Sequence, residues 1–67
     1  MNITLLTEEL EHRGITKEEL ARKCSTDTKT IHGIFSGNRR CTVELAKKIV
    51  NELNMDHTRA TEIFLKD

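Results

Sequence analysis

Within the stretch STDTKTIHGIFSGNRR, residues 25–40, hydroxyl, imidazole and cationic side chains crowd around two glycines. Thr28, Lys29 and His32 can donate hydrogen bonds, and Arg39 and Arg40 add two fixed positive charges beside Asn38. That chemistry is reversible recognition of an anionic partner. No nucleophile stands at usable spacing from a base, and no phosphate loop or paired carboxylates occur, so an enzyme is not expected. His12, His32 and His57 are scattered and Cys24 and Cys41 lie far apart, so neither a metal nor a cofactor is expected.

The 67-residue chain has no net charge, but the charge is segregated. Residues 15–48 carry eight Lys and Arg against four Asp and Glu, while acidic residues outnumber basic ones on both sides. A positive middle suits one surface for an anionic partner. No apolar run approaches the roughly 18 residues of a membrane span, and nothing resembles a signal peptide. The expectation is one soluble, cytoplasmic domain over residues 1–67, with Cys24 and Cys41 as free thiols and no small-molecule ligand.

Hydrophobic spacing and stop signals predict five short helices. Leu6 and Leu10 recur on one face over about residues 3–13, and Gly14 ends that helix in the left-handed conformation. Thr16 and Glu19 form a capping box that opens a second helix over about 17–24, burying Leu20, Ala21 and Cys24. Asp27 caps a third, about 28–36, whose Ile31, Ile34 and Phe35 share a side only if the segment is helical. Thr42 caps a fourth with a stripe of Val43, Ala46, Ile49, Val50 and Leu53, and Asn54 suits a left-handed exit. A last helix over about 57–65 sets Ala60, Ile63 and Phe64 on its apolar side. The fold class is all-α, with Phe35 and Phe64 read as buried.

Only Ser25-Thr26-Asp27 separates the second and third helices, which forces a steep crossing of helix-turn-helix type. From Ile15 to Met55 the sequence resembles the phage Cro/repressor family of helix-turn-helix proteins, also called the xenobiotic-response-element type. The resemblance rests on Leu20-Ala21, Cys24, Ile31, the loop Gly37-Asn38-Arg39-Arg40 and the amphipathic run Val43 to Leu53. It departs at Ser25, where the family sets glycine in the turn, at Lys17, where glutamine is common, and at Cys41, where proline is common. An arginine–glutamate pair frequent in the family is replaced by Leu10 and Phe35.

The resemblance implies a lambda-repressor-like domain that binds double-stranded DNA with its third helix in the major groove. On that footing Thr28, Lys29, His32 and Gly33 fall on the base-reading face. Lys17, Asn38, Arg39 and Arg40 are expected to hold phosphates, so Arg39 would strengthen binding to every sequence alike. A Cro/repressor-like repressor of a phage or mobile element is the functional expectation, dimeric on a near-palindromic operator. It would work in a bacterial host, and Cys41 would stand as an accessible thiol near the DNA. The alternative is a protein-interaction module on the same fold, of antirepressor or antitoxin-like kind.

Overall fold

A computed structural model describes residues 1–65. Five α-helices follow in chain order: α1 Ile3–Arg13, α2 Lys17–Lys23, α3 Thr28–Phe35, α4 Val43–Glu52 and α5 His57–Phe64. Each opens on a side-chain cap, from Asn2, Thr16, Asp27, Thr42 and Asp56 in turn. The capping box of Thr16 and Glu19 is complete in both directions. Helices this short are marginal alone in water, so burial of their apolar faces must hold them.

Four of the five helices end by one device. The amides of Ile15, Thr26, Asn38 and Met55 reach back five residues to the carbonyls of Leu10, Ala21, Gly33 and Val50, at 2.9, 2.9, 2.9 and 3.1 Å. Before each donor stands a residue of positive φ: Gly14, Ser25, Gly37 and Asn54. This is the Schellman ending, which satisfies carbonyls that the helix itself leaves free. Ser25, at φ 56°, holds a conformation that a side chain disfavours. Ser25→Gly is expected to stabilise the domain by about 0.5 kcal/mol, the relief of strain exceeding the added entropy of the unfolded chain. A thermal melt checks this as a rise of about 3 °C.

Leu6, Leu10, Leu20, Ala21, Cys24, Ile31, Ile49, Leu53, Met55 and Ile63 form the core, and Ile34 is buried beside it. α2 and α3 pack together most closely and form the helix-turn-helix, while α1 closes against α5. This is the expected all-α, lambda-repressor-like arrangement. Between α1 and α5, the Asn2 amide donates to the Ile63 carbonyl at 2.6 Å.

Three packing expectations need correction. Val43 is 72% exposed, because it begins α4 at the edge of the apolar stripe and none of the described elements covers it. Phe35 and Phe64 are half-buried, each packed against the outside of the core. Cys41 is half-buried too, and its thiol hydrogen-bonds the Thr42 carbonyl at 3.7 Å. At their C-terminal ends, α2, α3 and α5 stop a residue short of the predicted bounds, with Cys24, Ser36 and Leu65 as caps.

Candidate nucleic-acid interface

Burial of Ile31 and Ile34 fixes how α3 is rotated. At 3.6 residues per turn, the side opposite them carries Lys29, His32 and Ser36, and all three are exposed. Thr28 and Thr30 sit half-buried on the flanks of the first turn. Asp27 accepts from the Thr30 amide at 2.7 Å. Its carboxyl lies below the usual range, through hydrogen bonding by the Thr30 side chain and then the Thr30 amide, with Arg39 and Lys29 adding attraction. Asp27 is therefore a cap whose negative charge is occupied locally.

Gly33 departs from expectation. The sequence turns this position towards DNA, but the stem of Arg39 lies across it. A Cβ at residue 33 would stand 2.9 Å from both Cγ and Cδ of Arg39, too close for either to stay in place. The Gly33 carbonyl accepts from the Ser36 hydroxyl at 3.1 Å and from the amides of Asn38 and Arg39 at 2.9 and 3.1 Å. These bonds fold the loop back onto α3. The Arg39 guanidinium then runs towards the start of the helix, with Nη1 3.4 Å from the Thr30 hydroxyl.

Lys17, in the first turn of α2, has its ammonium 5.0 Å from the centre of the Phe35 ring, within cation–π range. The start of α2 is thereby tied to the end of α3. Asn38 and Arg40 are exposed on the loop. A polar depression of about 290 Å³ opens between the helix-turn-helix turn and α4, where Arg39 and Arg40 meet Lys48. No local spacing signal in the sequence joins Lys48 to the loop. Beyond Arg40 an apolar groove of about 870 Å³ runs between α4 and α5, walled by Val43, Val50, Phe64 and Leu65 among others.

A helix-turn-helix family model matches residues 6–59, from within α1 to the first turn of α5. The chain belongs to the Cro/C1-type helix-turn-helix family. That is a family of DNA-binding regulators, so the α2–α3 unit of this Cro/C1-type protein is a double-stranded DNA-binding element. No curated protein and no solved structure shows significant similarity to the chain.

Two further features frame the interface of this helix-turn-helix protein. Burial raises both thiols above their ordinary value, Cys24 with help from the Glu52 charge, so thiolate is scarce at neutral pH. The thiol expected to be accessible at Cys41 is therefore half-buried, and that burial disfavours its thiolate. In α1, Glu9 is buried between two arginines. Arg59 Nε donates to it at 2.7 Å and Arg13 Nε at 3.0 Å. In the sequence, Glu9 and Arg59 stand fifty positions apart with no signal that pairs them. Among the described residues no helix is long and apolar enough to cross a membrane.

Proposed function

We propose that this Cro/C1-type protein is a sequence-specific transcriptional regulator, a repressor of a phage or mobile element working in a bacterial cytoplasm. The observation that carries this reading is the outward row of Lys29, His32 and Ser36 on a helix held from behind by Ile31 and Ile34. With the first turn of α3 in the major groove, Lys29 donates to guanine N7 and O6, and Thr28 bonds a base or meets a thymine methyl. His32 donates to an acceptor further along the groove. Lys17, Asn38 and Arg40 hold the flanking phosphates, joined by Lys48 from α4.

One such helix spans only a few base pairs, so the working unit in this reading is a homodimer on a near-palindromic operator. Its recognition helices would stand roughly 34 Å apart. The exposure of Val43 and Leu65 beside the α4–α5 groove supports self-association.

Titration of a duplex selected from a random pool, repeated across salt concentrations, tests the proposal. With three phosphates neutralised per subunit, log K should fall against log salt with a slope of about −5 for a dimer and about −3 for a monomer. Binding indifferent to salt, or a pool that yields no bound duplex, overturns the reading in favour of the protein-interaction module. The apolar groove would then be its surface.

A further inference from the structure

The contact between Gly33 and Arg39 has no place in a simple division between base readers on the helix and phosphate holders on the loop. Glycine inside a helix is unfavourable by about 1 kcal/mol relative to alanine. At residue 33 no positive φ calls for it, since α3 is regular through this position. What the missing side chain provides is room, and Arg39 fills it: its Cβ would lie 3.4 Å, and its Cγ and Cδ 2.9 Å, from an alanine methyl there. An exposed arginine stem ordinarily samples many rotamers. Here it is guided along a helix surface, with its own amide bonded to the Gly33 carbonyl.

That guidance sets the guanidinium's position. It rests beside the Thr30 hydroxyl, one turn nearer the start of α3 than Gly33, and its field reaches Asp27, the cap of that first turn. Arg39 therefore accompanies Lys29 at the end of α3 that enters the groove, although it is encoded in the loop behind the helix. Arginine is the side chain best matched to guanine, because its planar fork donates to N7 and O6 together. Thr28, Lys29 and His32 are a sparse reading set, and a fourth, preoriented donor enlarges it. Resting on the DNA-binding reading above, we infer that Arg39 is a specificity-determining residue that reads a base, with Gly33 as the positioning residue that aims it.

The experiment uses the selected duplex and a panel in which each of its base pairs is changed singly, with Gly33→Ala, Arg39→Ala, Arg39→Lys and the Gly33→Ala/Arg39→Ala pair. Arg39→Ala should bind the selected duplex about 30-fold more weakly and lose discrimination at one base-pair position while keeping it elsewhere. Arg39→Lys should restore the salt slope without restoring that discrimination. Gly33→Ala should lose discrimination at the same position, melt no lower than the parent, and add nothing in the Arg39→Ala background. In the free protein, nuclear Overhauser contacts from Gly33 Hα to the Arg39 stem should be present and should vanish in Gly33→Ala. Equal weakening of Arg39→Ala on every duplex, with discrimination intact, overturns the inference and returns Arg39 to the phosphates. Additive losses from the two substitutions also overturn it, because Gly33 would then act by itself. If the parent discriminates no duplex at all, the DNA-reading proposal falls and takes this inference with it.

Discussion

Ile31→Ala is expected to lower the melting temperature by about 15–20 °C. Ile31 is fully buried in the core, yet it sits within α3 between Lys29 and His32. Removing its branched side chain forfeits transfer energy and leaves a cavity, together about 3 kcal/mol for an isoleucine of this kind. A domain of this size has only about 3–10 kcal/mol of stability in total, at the usual amount per residue. Each kcal/mol moves the midpoint by about 4–8 °C. The loss should reach DNA binding as well, because α3 has poor intrinsic helix propensity and is held by its two buried isoleucines. Ile31→Val, which removes a single methylene, should cost only about 1 kcal/mol. Circular dichroism melts of the two variants beside the parent measure both effects, and similar losses would mean that the site collapses around the change.

The second large effect is expected at Glu9, in the seam between α1 and α5. Glu9→Gln keeps the shape and removes the charge that Arg59 and Arg13 share. Hydrogen bonds to an ionised partner are worth about 1.5–3 kcal/mol, and a loss of about 2 kcal/mol corresponds to about 10 °C. The Arg59 hydrogen bond is the main cause that holds the Glu9 carboxyl below its ordinary value near 4.5, with Arg13 adding to it and burial opposing both. The folded-state value is thus lower than the unfolded one. The stabilisation is fully present above the ordinary value and is lost as pH falls through the lower, folded value. The parent should therefore melt about 10 °C above Glu9→Gln at pH 7, with the gap closing on acidification. A gap independent of pH would show that Glu9 acts by packing alone.

Glu9 also marks the limit of what the chain reveals before it is folded. Helix ends were legible because their signals are local: Thr16 with Glu19, Asp27 and Thr42 at the starts, Gly14 and Asn54 at the exits. The helical reading of residues 28–35 was legible from the spacing of Ile31, Ile34 and Phe35, against their β-branched propensity. Pairings between distant residues leave no such trace. Nothing near Glu9 names Arg59, fifty positions on, as its partner. Gly33 is the same problem in reverse, since an absent side chain cannot say which neighbour occupies its room. Val43 misled because a stripe predicts a direction, and direction becomes burial only where another element arrives.

The shared helix endings have a kinetic consequence. Each of α1 to α4 carries its own start and stop, so its limits can be established before any distant segment is in place. Most contacts in the domain are between residues close in sequence, the topology associated with folding in microseconds to milliseconds. The seam between α1 and α5, with its Glu9–Arg59 and Asn2–Ile63 bonds, spans the greatest chain separation and carries the largest loop-closure entropy. Assembly should therefore run outward from the α2–α3 unit, so that the recognition surface takes shape before α1 and α5 meet.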